Sequence, residues 1–141
     1  MATLGLWILQ NHPYQYVYFN ILARPHAEEN FDLDYWGVGM ENIVRELLRR
    51  DEEAKINVAF FNPDTAELSG PETLTDRNLQ VLSMLTAEEK ARIIPTSSEP
   101  DYIVMFSRGH INKRRSIEGY QKIFNITVDG YEIDSLWKRA N

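Results

Sequence analysis

The chain has 141 residues, 43% of them hydrophobic and 26% charged, enough to bury one sizeable core and too apolar for a disordered tail. Its 15 Lys and Arg against 21 Asp and Glu leave a formal charge of −6, which argues against a dedicated nucleic-acid binder, because such a protein needs a basic excess to neutralise phosphates. Cysteine is absent, so disulfides, thiolate metal sites and cysteine nucleophiles are excluded.

Residues 2–9 (ATLGLWIL) form a continuous apolar stretch. It is too short to span a bilayer and lacks the basic start and small-residue cleavage site of a secretory signal. On the residues alone two readings stand: a first element packed on the core, or the last turns of a membrane helix. Trp7, Tyr14, Tyr16 and Tyr18 suit the second, since amphipathic rings accumulate at the membrane–water interface. Residues 14–20 (YQYVYFN) read either as a strand or as a continuing helix, and 23–30, with Pro25, as a loop. Phe31, Leu33 and Tyr35 then alternate with Asp32, Asp34 and Trp36, an extended pattern that Gly37 and Gly39 end.

From Met40 the period is helical, with Ile43, Val44, Leu47 and Leu48 on one stripe and Arg49 and Arg50 in the last turn, where cations favour the helix dipole. Residues 55–62 (KINVAFFN) predict a strand, and 63–71 a polar loop. Asp76 is placed to cap a short helix carrying Leu79, Leu82, Met84 and Leu85, and Thr86 with Glu89 fits a capping box for one more turn. Short strands follow at 91–95 and, after a turn, at 101–107; the second is so apolar that a central position is expected. After a basic loop over 108–119, residues 120–128 and 131–138 flank Asp129 and Gly130, a hairpin signal because both turn positions need positive φ. The expected fold is a single α/β (or α+β) domain, a mixed sheet of about five strands flanked by helices and ending in an antiparallel hairpin.

Three constellations bear on chemistry. Asp32 and Asp34 lie two apart on a predicted strand, so their carboxylates share a face and could hold Mg²⁺ or Mn²⁺; the favoured alternative is that they cap the following helix or are solvated. The three histidines, His12, His26 and His110, have no zinc-site spacing, and no nucleophile elbow is present. Arg108, His110, Lys113, Arg114 and Arg115 are the one basic cluster of an acidic chain and are candidate ligands for phosphate groups, set against the simpler reading of a solvated loop. Asn125, Ile126 and Thr127 match a glycosylation sequon, which its predicted strand setting counts against.

Two segments carry a resemblance. HPYQYVYFN (12–20), then FDLDYWG (31–37) and a helix, resembles a signature of bacterial multi-span membrane proteins that are glycosyltransferases of the protein O-mannosyltransferase-like kind, and of related uncharacterised membrane proteins. KINVAFFN, PDYIVMFSR and ITVDGYEIDSLWKR extend the resemblance over residues 4–139; the spacer ILARPHAEEN departs from it in not being Gly-rich. The resemblance implies that residues 1–11 are the stump of a transmembrane helix and 12–141 a soluble accessory domain on the extracytoplasmic side. It makes His12, Pro13, Tyr14, Tyr16, Tyr18, Phe19, Asn20, Asp32, Asp34, Tyr35, Trp36 and Gly37 signature residues of structural rather than catalytic role. Tyr16, Tyr18, Phe19, Tyr35 and Trp36 would hold the N-terminal segment to the sheet. Glycosyl transfer would belong to membrane-embedded loops of the parent protein, so this chain is expected to have no catalytic residues and no cofactor. Its expected partners are the membrane part of that protein and a glycan or lipid-linked sugar. The alternatives are a free glycan- or lipid-phosphate-binding module, resting on the basic cluster, and a small metal enzyme resting on Asp32 and Asp34.

Overall fold

The computed structural model describes residues 2–14, 38–62, 64–106 and 116–140. A short N-terminal helix, α1 (Ala2–Gln10), precedes the main body. The body begins with α2 (Val38–Arg50), whose stripe of Met40, Ile43, Val44, Leu47 and Leu48 is wholly buried, as its period requires. At its solvent side Glu46 accepts from Arg49 at 2.7 and 2.8 Å and from Arg50 at 2.6 Å. Those bonds hold its carboxyl down from the ordinary 4.5 to about 2.

The strands are β1 (Ile56–Asn62), β2 (Glu67–Ser69), β3 (Ile93–Pro95), β4 (Tyr102–Phe106), β5 (Tyr120–Val128) and β6 (Tyr131–Arg139). They form one mixed six-stranded sheet in the order β2-β1-β4-β6-β5, with β3 also paired to β1. β4 lies parallel to β1 and antiparallel to β6, and all five of its residues are buried. This is the central position that its unbroken apolar run predicts. The fold is α+β with the expected C-terminal hairpin, in which Asp129 and Gly130 take the positive φ values of 53° and 87° that such a turn demands.

One face of the sheet meets the helices. Ile56, Val58, Phe60, Tyr102, Val104, Phe106 and Leu136 pack there against the α2 stripe and against Val81, Leu82 and Leu85. The alternate residues Ala59, Phe61, Ile103, Met105 and Trp137 are buried on the other face. Two short helices, α3 (Asp76–Ser83) and α4 (Ala87–Arg92), occupy the connection from β2 to β3. Arg45 fastens α2 to them, donating to Glu89 at 3.2 Å and to the Met84 carbonyl at 3.1 Å.

Several local expectations change. The N-cap of α3 is Thr75, with Asp76 the first helical residue, because Asn78 completes a capping box with Thr75 that Asp76 has no counterpart for. The same bonds let Asn78 be buried: its Oδ1 accepts from the Thr75 backbone and hydroxyl at 3.0 and 2.9 Å. Leu79 and Met84, expected on the apolar face, are exposed, and Val81 is buried in their place. The polar 63–71 stretch contains β2, an antiparallel partner for the end of β1, which adds the sixth strand. Thr86 and Glu89 do form their capping box.

The chain passes from β3, on one side of β1, to β4 on the other through residues 96–101. Gly70 makes room for this passage, since a Cβ there would stand 3.0 Å from both the Ser97 backbone nitrogen and its Oγ.

The core is tested by Phe60, which is fully buried at the centre of the helix-facing cluster. Phe60→Ala is expected to lower the unfolding free energy by about 3–5 kcal/mol, and Leu79→Ala to change it by no more than about 0.5 kcal/mol, both read from urea denaturation midpoints.

Candidate functional site

The most distinctive surface is α1. Its sequence, ATLGLWILQ, has no charged residue, and Leu4 (45%), Leu6 (57%), Ile8 (41%) and Leu9 (78%) stand exposed along nine residues. The other large apolar side chains exposed among the described residues, Leu79, Met84 and Ile94, lie on α3, at its end and on β3. A helix this apolar in contact with water needs either a partner or a tether.

The tether is present. The Trp7 indole N–H donates to both carboxylate oxygens of Asp129, at 2.9 and 3.0 Å. Its ring packs with Tyr14, Ile126 and Tyr131 around the buried Val128 and Ile133 of the hairpin. The helix ends at Asn11, whose backbone N–H and side-chain amide both donate to the Trp7 carbonyl, at 3.0 and 2.9 Å, satisfying an end that would otherwise be open. Tyr14 then reaches the main body, its hydroxyl accepting from the Asn42 amide of α2. Through Trp7, α1 is thus fixed to the tip of the β5–β6 hairpin while Leu4, Leu6, Ile8 and Leu9 stay exposed around the rest of its circumference.

Asp129 combines two roles. Positive φ at a turn is tolerated by Asp at little cost, and the same residue presents its carboxylate to the indole. The turn was evident from the sequence, but the pairing of residues 122 positions apart was not, because no periodicity links them.

Of the signature residues, His12 is exposed, Pro13 and Tyr14 are half-buried, and the His12–Pro13 peptide is cis. Tyr16, Tyr18, Phe19, Asn20, Asp32, Asp34, Tyr35, Trp36 and Gly37 lie outside the described residues, as do Arg108, His110, Lys113, Arg114 and Arg115. Among the described residues the aromatic side chains that hold the N-terminal segment are therefore Trp7, Tyr14 and Tyr131. Among these same residues no group of three or more His, Asp or Glu is placed to hold a metal ion.

Two further places bring cations close to aromatic rings. At the carboxyl ends of the parallel strands β1 and β4, the Arg77 guanidinium lies 4.8 Å from the centre of the Phe106 ring. Ligand sites in sheets with parallel strands favour that edge, and the basic segment follows β4 directly in the chain. At the opposite edge the buried Tyr102 hydroxyl donates to Asp51 Oδ2 at 2.9 Å, close to Lys138, whose ammonium lies 5.4 Å from the Tyr102 ring centre. Burial, followed by the bond to Asp51, pushes the Tyr102 phenol up, so it keeps its proton at neutral pH and serves as a tie between β4 and the end of α2. Beside it an open depression of about 410 Å³ is lined by Gln121, Ile123, Lys138, Arg139 and Ala140. Its cations are already engaged: Arg139 donates to the Pro100 carbonyl at 3.0 Å and lies 3.7 Å from Asp101.

Compared with models of known families, with curated proteins and with solved structures, the chain matches none.

The tether is open to direct test. Trp7→Phe keeps the packed ring and removes the indole donor, so about 1 kcal/mol of local stability should be lost. Amide hydrogen exchange across residues 6–10 should accelerate about fivefold, with the global unfolding midpoint unchanged.

Proposed function

We propose that this chain is a non-catalytic accessory domain of a membrane glycosyltransferase-like protein, held at the extracytoplasmic membrane surface with α1 in contact with lipid. The observation that carries the reading is the exposure of Leu4, Leu6, Ile8 and Leu9 on an uncharged helix that Trp7 fixes to the domain. The likeness of residues 12–20 and 31–37 to a juxtamembrane signature supports the same placement.

Energetics set the strength of the contact. Together the four side chains leave about two side chains' worth of apolar surface in water, about 3–6 kcal/mol on transfer to an apolar phase. That is comparable to a single myristoyl chain, whose membrane binding is marginal and reversible at ~10⁴ M⁻¹. α1 as described therefore orients the domain against a bilayer and does not anchor it alone. Among the described residues no helix is long and apolar enough to cross a membrane. In this reading, firm attachment comes from the membrane part of the parent protein.

Because α1 is uncharged and the chain carries −6, attraction to the bilayer is apolar rather than electrostatic. The chain is expected to co-sediment with neutral phosphatidylcholine vesicles, with little dependence on salt between 50 and 300 mM, roughly the range over which electrostatic adsorption is screened. The double substitution Leu6→Glu and Leu9→Glu, at two exposed positions, should reduce the bound fraction at least about tenfold without altering the circular dichroism spectrum. Equal sedimentation of both proteins, or none of the parent chain, would remove the lipid contact from the proposal.

A second reading is that the domain binds a glycan or the phosphate of a lipid-linked sugar. Arg77 over Phe106 at the carboxyl edge of the parallel strands favours it, together with the basic sequence that follows β4. Arg114→Ala combined with Arg115→Ala should then weaken binding of a short-chain polyprenyl phosphate about tenfold in calorimetric titration, since each lost charge-assisted contact is worth about 1 kcal/mol or more. Identical titrations would sink it.

A further inference from the structure

We propose that Asn125 is an acceptor site for an N-linked oligosaccharide. Asn125, Ile126 and Thr127 satisfy the acceptor pattern, an Asn followed two residues later by a hydroxyl residue with no intervening Pro. A strand setting would ordinarily bury alternate residues and close such a site. Here the pattern lies on β5, which ends the sheet on one side, with one edge paired to β6 and no strand on the other among the described residues.

The side-chain alternation favours modification. Asn125 and Thr127 are exposed, while the intervening Ile126 and the preceding Phe124 turn inward and pack against the core. The Asn125 amide nitrogen donates to the Thr127 hydroxyl at 2.8 Å, so both groups stand on the same solvent-facing row. A sugar attached to the amide nitrogen would replace that bond and project from this end strand without displacing a buried side chain. The strand shifts register between Ile126 and Thr127, so regular pairing with β6 is already interrupted beside the acceptor.

The chemistry is a substitution at an anomeric carbon. The Asn125 amide nitrogen would attack C1 of a sugar carried on a polyprenyl diphosphate. The N–C1 bond forms as the C1–O bond to the diphosphate breaks. The lipid diphosphate leaves with the bonding electron pair, and the amide proton passes to a base on the transferase. The donor and the transferase belong to an extracytoplasmic compartment, so the natural setting rests on the side of the membrane proposed above. Transfer would precede the pairing of β5 with β6, and the folded sheet then keeps the product outside. A bulky, hydrated group at this position would also screen the outer edge of β5 from pairing with another chain.

The full chain, secreted behind a cleavable leader from eukaryotic cells that carry an oligosaccharyltransferase, provides the test. Intact mass spectrometry should show a glycoform that peptide-N-glycosidase removes, leaving Asp at position 125. Asn125→Gln and Thr127→Val should abolish the glycoform, and Thr127→Ser should retain it. Secreted, folded chain with no sugar, or sugar that persists in Asn125→Gln, overturns the assignment. The leader imposes the compartment and no vesicle is involved, so failure here is distinct from failure of the lipid contact of α1.

Discussion

The structure depends on β4. Its five consecutive buried residues have no solvent face, so both faces and both backbone edges must be occupied by other parts of the chain. β1 satisfies one edge in parallel and β6 the other in antiparallel orientation. The α2 stripe covers the face that carries Tyr102, Val104 and Phe106, and Trp137 lies on the face of Ile103 and Met105. Placing β4 beside β1 forces the chain to cross from β3 through residues 96–101, and that crossing is what forbids a side chain at Gly70. The central strand thus dictates constraints at residues that never touch it.

The same pairing positions the surface of interest. β6 is fixed by β4 over residues 134–138, and its hairpin continues beyond the central sheet to Asp129 and Gly130. That projecting tip is where α1 docks. An apolar helix left to itself would either fray or aggregate, since nine residues are too few for a stable isolated helix. Fixed by one indole and a small aromatic cluster, it keeps Trp7 toward the domain and leaves its other large apolar side chains exposed. The proposed lipid contact needs this arrangement, because exposed apolar surface orients a domain only when it is rigidly attached to it.

Much of the fold was readable from residue pattern. The α2 stripe, the apolar β4, the Asp129–Gly130 turn and the Thr86–Glu89 capping box are encoded within windows of a few residues, where period and local hydrogen bonding decide the outcome. Where local signals were short or in competition, reading them failed. β2 has three residues in a polar stretch and exists because the end of β1 offers a free edge. Asp76 lost the capping role to Thr75 because the decisive partner was Asn78, a residue whose burial no propensity announces. Leu79 points outward because α3 is oriented by the α2 face it meets, and Asn78 and Val81 occupy that contact.

The candidate site divides along the same line. The amino-acid sequence by itself determined that α1 is apolar and uncharged, that Trp7 is amphipathic, that residues 129–130 turn, and that Asn125 and Thr127 stand two apart. Each is a property of one residue or of near neighbours. Only the tertiary structure decided that Trp7 meets Asp129, that Leu4, Leu6, Ile8 and Leu9 of α1 remain exposed, and that the strand bearing Asn125 ends the sheet on one side. Those outcomes arise from contacts between residues far apart in the chain. They are selected by which surfaces the buried strand leaves available, and no local pattern carries that information.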